Sequence, residues 1–350
     1  MIHITPERLR AVTIQVLVAA GAPPASAQRV AASLVENNLV GHDSHGVLRI
    51  SQYTSEIANG IINPNGEIKM VKSSATTALL DGGRNFGQIV ARTAMQLALD
   101  KAREHDLGLV AIRNCGHTGR LGEYAIQAAE QGMMGLVLST GSSQGGIVAP
   151  FGATSRALNT NPISWAVPTA RLPILFLDMA TSIVAQGKIM AAIDKGVEIP
   201  QGWLLNAKGE PTTDPWDQRV GGVLLPFGAH KGSGLSVMIE IVAGGLAGTG
   251  PGTLPGFTHD YPTIVAALNI AAFQPLDEFR AIVDAYILAL KQARKAEGVT
   301  EILVPGELEW HTRTNRLRDG IALPEATWER IVSAGAKLGV QITLEESATK

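Results

Sequence analysis

The chain is expected to be a mixed α/β protein, and three observations predict it. Its first sixty residues read as helix, with no alternating strand pattern among them. From residue 68 onward, short β-branched or apolar runs alternate with longer stretches of helical periodicity. With 45% hydrophobic residues and a mean hydropathy of +0.15, the chain carries ample apolar surface for a core, which excludes disorder as its main state. A length of 350 residues suits one large domain or two interlocked ones.

Taken in order, Thr5 can cap a helix that has Pro6 in its first turn and Gly21 after its last periodic residue. A second helix is expected over 27–40, with Val30, Leu34 and Leu39 on one side and Gly41 as terminator. The stretch HDSHG then reads as a tight connection, and 47–58 as a third helix ending at Asn59-Gly60. Strands are expected at 77–80, 109–112, 135–139, 163–167 and 174–177, and helices at 88–105, 121–131, 182–195 and 233–246. The segments NPNGEIKM and 248–257 are Gly/Pro-rich loops. An apolar run at 264–270, a charged amphipathic helix near 277–296 and the section LVPGELEWHTRTNRLRDG complete the chain.

Composition narrows the function. The 29 basic and 31 acidic residues nearly cancel, leaving no footprint for nucleic acid or a membrane surface. One cysteine cannot form an intramolecular disulfide, MIHITPERLR lacks the order of a signal peptide, and Glu240 interrupts the most apolar stretch. A soluble, cytoplasmic protein is the expectation. No GxGxxG stands between a strand and a helix, and no GxxxxGK[ST] occurs, so any nicotinamide cofactor is held by another backbone cradle.

Four clusters carry potential chemistry. In GHDSHGVLR, two histidines, an acid and a hydroxyl share a Gly-bounded turn, and His45 and Arg49 are four positions apart. If a helix starts at Val47, the imidazole and the guanidinium project one way. That pair suits a 2-oxo or 2-hydroxy acid: Arg49 holds the carboxylate while His45 moves the neighbouring proton. The plainer reading makes Asp43 or Ser44 a helix cap. In NCGHTGRLG, a strand-to-helix turn around His117 offers free N–H groups to an anion, or is simply a capping turn. In LDMATS, Asp178 lies where an apolar run gives out and can orient a histidine, meet a ribose hydroxyl or cap a helix. In FGAHKGSGL, Gly residues and Lys231 precede a long apolar helix, an arrangement that favours an anion.

These motifs, together with the Asn-Pro of NTNPISWAVP, PTTDP and LVPGE, recur in this order in the malate/L-lactate dehydrogenase family of the second type, which the chain resembles from Thr5 to about Gly339. That family also includes ureidoglycolate, sulfolactate and hydroxycarboxylate dehydrogenases, diketogulonate reductase and a cyclic-imine reductase. LDGGRNFGQ, GHTGRLGEYA and IVAPFGATSR look most similar to the bacterial hydroxycarboxylate branch. The resemblance implies a non-Rossmann, L-sulfolactate dehydrogenase-like fold in a homodimer. Its helical, dimerising domain would comprise 1–75 with about 258–350, and its cofactor domain, with a mixed sheet, about 76–257. It implies NAD as cofactor, with NADP also possible, and a small 2-oxo or 2-hydroxy acid as partner. By resemblance, His45 is the proton donor with Ser44 as relay, Arg49 grips the substrate carboxylate, and Thr160 is a substrate-side hydroxyl. Asp178 serves either the proton relay or the cofactor, and a histidine near position 117 is held in some members to be the catalytic base. His117, Thr118, Gly119, Arg120 and Leu121 match cofactor-contacting segments, as do Asp178, Met179 and Ala180, His230, Lys231 and Gly232, and Gly306 and Glu307. Three departures bear on the substrate and on the choice of cofactor: Asn159 replaces the glycine of GTNP, Gln186 replaces an arginine, and the loop STGSSQGG is rich in small residues.

The reading that follows is hydride transfer at C2 of a hydroxy acid, with a cyclic imine or ureidoglycolate as alternative substrate on the same scaffold. A zinc hydrolase using His42 and His45 is a remote rival, because no HExxH supports it. A ligand-binding protein without turnover is a third.

Overall fold

The computed structural model of the protein describes residues 1–141 and 145–344. Residues 142–144, which belong to the small-residue loop singled out above, lie outside that description. Two helices open the chain after a short strand: β1 (Ile2–Ile4), α1 (Pro6–Ala19) and α2 (Pro24–Leu39). Thr5 caps α1 as expected, its hydroxyl accepting from Arg8 N at 3.2 Å, a contact worth about 1 kcal/mol. The helix at 27–40 begins three residues early, because Pro24 is well suited to a first turn. The helix expected over 47–58 is shorter: Asp43–His45 and Val47–Arg49 are two 3₁₀ turns, and α3 runs Ile50–Ala58.

Then come β2 (Lys69–Ser73), β3 (Thr77–Asp81), α4 (Gly87–His105), β4 (Leu107–Arg113), α5 (Gly122–Glu130), β5 (Met133–Ser139), β6 (Ile163–Val167) and β7 (Leu175–Met179). Strand β2 went unforeseen because it has no apolar alternation. It is an exposed, lysine-bearing edge strand whose register slips between Met70 and Lys72, features that discourage edge pairing. The remainder comprises α6 (Gln186–Lys195), β8 (Leu204–Leu205), β9 (Pro211–Thr212), β10 (Val223–Leu224), α7 (His230–Ile239), β11 (Thr263–Asn269), α8 (Leu276–Lys291), α9 (Glu307–Asp319), β12 (Ile321–Leu323) and α10 (Glu325–Lys337).

Two further helix starts differ from expectation by three or more residues. Residues 182–185 are not helical, since Ser182 bridges Pro226 and Ile183 N donates to Leu225 O. The helix expected from 233 begins at His230, and from Glu240 to Gly245 it widens into a π-helix. Among the described residues no helix is long and apolar enough to cross a membrane.

The main sheet runs β2-β3-β4-β11-β5-β6-β7, with β3 and β4 parallel and the other neighbours antiparallel. Period-2 alternation explains its two covered faces. Val110 and Ile112 of β4 and Val265 and Ala267 of β11 meet the alanine-rich faces of α4 and α5. Leu109, Ala111 and Ile264 turn the other way, to Ala243 of the π-helix. Strand β11 therefore carries into the middle of the sheet residues that the boundary at about 258 had assigned to the helical part.

A second core joins the two chain ends. Leu9, Val16, Val30 and Leu34 pack with Trp328 and Ile331, and β1 pairs antiparallel with β12, Ile2 opposite Leu323. The C-terminal end of α2 thus lies between the sheet region and α9, where it organises the site.

Candidate active site

Two buried asparagines end α2 and build the turn that follows. Asn38 Oδ1 accepts from Val47 N at 2.9 Å, and its Nδ2 donates to Asp43 Oδ1 at 2.6 Å. Asn37 Nδ2 donates to the His45 carbonyl at 3.0 Å, while its Oδ1 accepts from Arg120 Nε at 3.0 Å. A Cβ at position 46 would lie 2.2 Å from Asn38 Oδ1, so only glycine fits there. Helix α9 closes the turn from the other side. Arg316 grips both oxygens of Asp43 at 2.6 and 3.0 Å, and His42 Nε2 meets Glu309 Oε1 at 3.1 Å. The His42 contact holds the Glu309 carboxyl below its usual range.

His45 and Arg49 do converge, though not through the helical spacing that was anticipated. The two 3₁₀ turns fold Arg49 back, so that Nε donates to the Ser44 carbonyl at 2.7 Å and Nη1 to Gln52 Oε1 at 2.6 Å. The Ser44 hydroxyl lies 3.1 Å from His45 Nδ1. The turn at 114–122 brings His117 alongside, its ring nearly parallel to that of His45 (15°) with centroids 5.6 Å apart. The first two sequence clusters are therefore one site. Tyr53 OH lies 2.9 Å from His117 Nδ1, Tyr261 packs edge-on against His117 at 5.2 Å, and His259 against Tyr261 at 5.4 Å.

Burial first, then the charges of Arg49, His42 and Arg120, lowers the His45 imidazole to about 3. Burial and Arg49 likewise push His117 well below its ordinary value. Both rings are neutral at pH 7, and Arg49 is the largest charge acting on each.

Asp178 is in β7, opposite Ser164, rather than past the strand's end. Its Oδ2 accepts from Gly122 N at 2.7 Å, capping α5, and among the described residues neither imidazole bonds to it. Burial raises its carboxyl, against the pull of Arg120 and His42. Arg120 is only 4% exposed, with its guanidinium 5.7 Å from the Phe176 ring centre and its Nη1 without a partner. At position 122 a Cβ would come within 2.5 Å of that Nη1 and 2.9 Å of Asp178 Oδ2. Thr118 and Leu121 are buried, Leu121 in the sheet core, and Gly119 has φ +77°.

Backbone bonds lace the remaining segments together. The Thr160 carbonyl accepts from Thr181 N at 2.8 Å, and Phe227 N donates to Thr181 O at 3.0 Å. This holds the ends of Met179-Ala180 and of the stretch leading to His230, Lys231 and Gly232 side by side. His230 and Lys231 are exposed at the start of α7, and Gly232 is buried against Phe227. Gly306 abuts the Phe176 ring, and Glu307 is already engaged, accepting from Lys291 Nζ at 2.5 Å and Val304 N at 2.9 Å. As for the zinc reading, His42 turns to Glu309, and among the described residues no three His, Cys, Asp or Glu side chains are placed to hold a metal ion.

Sequence reasoning missed Asn37, Asn38, Tyr53, Gln88, Tyr261, Glu309 and Arg316. Three of these left a trace: Tyr53 follows Arg49 by one helical turn, and Asn37-Asn38 interrupts an apolar face at a helix end. The others come from distant segments that only the fold brings in.

Comparison with known proteins agrees with this geometry. The malate/L-lactate dehydrogenase family model matches residues 4–332, and the chain belongs to that family. The malate dehydrogenase of Pyrococcus abyssi is 38% identical, covering 97% of this chain and 96% of its own. Hydroxycarboxylate dehydrogenase B of Escherichia coli is 35% identical, covering 91% and 90%. The solved sulfolactate dehydrogenase of Methanocaldococcus jannaschii superposes with a TM-score of 0.86 at 34% identity, covering 97% and 98%. The protein is thus an oxidoreductase of a family that works with a nicotinamide cofactor, on a mixed α/β fold distinct from the Rossmann type. Its residues fit such an anionic group. The unpartnered Nη1 of Arg120 and the exposed Lys231 at a helix start offer a donor and positive charge.

Proposed function

We propose that the protein interconverts a 2-hydroxy acid and its 2-oxo acid, using NAD and also accommodating NADP. The observation that supports this best is the convergence of Arg49, Ser44, His45 and His117 on one small volume. The nicotinamide, when bound, supplies or accepts the hydride at C2. Arg120, Asp178, Lys231 and the backbone near Gly306 are the residues that would hold it.

Arg49 grips the substrate carboxylate. Its Nε and Nη1 are already oriented by Ser44 and Gln52, so little freedom is lost on binding. His45 Nδ1 is engaged by Ser44, which leaves Nε2 to exchange the proton of the C2 oxygen. In the oxidative direction the neutral ring is ready to accept it. In the reductive direction the incoming carboxylate offsets the Arg49 charge, which favours protonation of the imidazole against the burial that otherwise keeps it neutral.

The test is a panel of 2-oxo acids and cyclic imines assayed with NADH and NADPH in parallel. Turnover of 2-oxo acids is expected; turnover confined to imines would favour the alternative substrate, and stoichiometric zinc with hydrolysis would overturn both.

A further inference from the structure

The mechanism above leaves unexplained a buried chain behind His117. Gln88 and Tyr53 are both 0% exposed. Gln88 Nε2 donates to Tyr53 OH at 2.6 Å, and Tyr53 OH lies 2.9 Å from His117 Nδ1. We propose that Gln88 and Tyr53 are positioning residues that hold His117 as the neutral imidazole with its proton on Nε2, making it a hydrogen-bond donor to the substrate's C2 oxygen rather than a base.

The proton count fixes the tautomer. A phenol has a single O–H to give. Tyr53 receives the amide N–H from Gln88, and among the described residues its only hydrogen-bond partner left to act as acceptor is His117 Nδ1. If Nδ1 carried the proton instead, the phenolic hydrogen of the buried Tyr53 would face no acceptor among the described residues, an arrangement that folded proteins avoid. A neutral ring whose Nδ1 accepts must carry its hydrogen on Nε2. Burial reinforces the assignment, because it raises the Tyr53 phenol and lowers the His117 imidazole, so neither changes charge near neutrality.

The two rings then divide the work, on the reading that the substrate is a 2-oxo or 2-hydroxy acid. Both Nδ1 atoms are taken by hydroxyls, Ser44 on His45 and Tyr53 on His117, which leaves each Nε2 for the substrate. His45 transfers the proton. His117 steadies the negative charge that grows on the C2 oxygen during reduction, and gives up no proton of its own. Turning the Gln88 amide over would reverse the chain: Tyr53 would donate to Gln88, and His117 Nδ1–H to Tyr53, leaving Nε2 an acceptor.

Nitrogen NMR of the full chain labelled with ¹⁵N-histidine decides between them, with His117→Gln used only to assign the signal. The expected result is an unprotonated Nδ1 and a protonated Nε2 that hold across about pH 6 to 9. A protonated Nδ1, or a ring that titrates in that range, overturns the proposal. Gln88→Glu supplies an acceptor at the head of the chain and is expected to move the proton to Nδ1, lowering kcat about 10²-fold with little change in KM. Tyr53→Phe keeps the ring but frees the tautomer, with a loss in the same direction. Wild-type kcat in both variants would sink the donor role. Absence of turnover by the wild type on every 2-oxo acid would instead count against the proposed function, since the tautomer is read without any substrate.

Discussion

Two glycine- and histidine-rich stretches of this chain look alike as text and are built in opposite ways. In GHDSHG, Asn37 and Asn38 hold the backbone from one side, while Arg316 and Glu309 hold the side chains of Asp43 and His42 from the other. In GAHKGSG, His230 and Lys231 stand exposed at a helix start, and their stretch is anchored by backbone bonds such as Phe227 N to Thr181 O. On the proposed function the first would place a proton, which calls for an over-determined geometry. The second would present charge and N–H groups to a flexible anion, for which solvated side chains suffice.

That contrast can be tested from its strongest consequence to its weakest. His45→Ala is expected to lower kcat about 10²- to 10⁴-fold while cofactor affinity, followed by NADH fluorescence, hardly changes; equal losses in both would place His45 in the binding machinery instead. Acid should be felt next. His45 is lowered in the folded state to about 3, so its contribution to stability is complete above the unfolded value near 6.5 and is lost progressively as pH falls toward 3. The slope is at most about 1.4 kcal/mol per pH unit for this one group, and urea melts of His45→Asn should be flatter below about pH 6.5 than those of the wild type.

Arg49→Lys is expected to raise KM about 10- to 100-fold, because an ammonium cannot reproduce the paired bonds; an unchanged KM would remove the carboxylate from that position. Asn38→Ala strips Val47 N of its partner and leaves Asp43 with Arg316 alone, and should cost about 1–3 kcal/mol in a denaturant titration, with slower turnover in the folded fraction. At the weak end, Lys231→Ala should leave stability within about 0.5 kcal/mol and loosen the cofactor mainly at low salt. A Lys231→Ala variant that melts as easily as Asn38→Ala would erase the distinction between the two stretches.

The same contrast governs what could be read in advance. His45, Arg49 and Ser44 were legible as a cluster because the turn packs them within six residues, the strand at 109–112 because it is a continuous apolar run covered on both faces, and the strand at 163–167 because its residues alternate, with Ser164 and Ala166 buried and Trp165 exposed. The start of α6 was misplaced because a bridge from Ser182 to Pro226 overrode local propensity. The joining of His45 with His117 was invisible from spacing, since 72 positions separate them and only the packing of α2, α3 and α4 brings the rings together. Asp178 was placed beyond its strand because polarity was taken for a strand end, whereas its carboxylate is needed in the strand to cap α5.

Strand β11 has a consequence for how the molecule is made. Among the described residues it is the one strand that joins β2-β3-β4 to β5-β6-β7, and its residues pair with partners 124 to 161 positions earlier in the chain. Until it arrives, the nascent chain holds two half-sheets with open inner edges, an invitation to mispairing that holdase chaperones commonly cover. A chain ending at 262 should therefore precipitate during synthesis, and a soluble, monomeric fragment with intact strand content would show that the halves can wait alone.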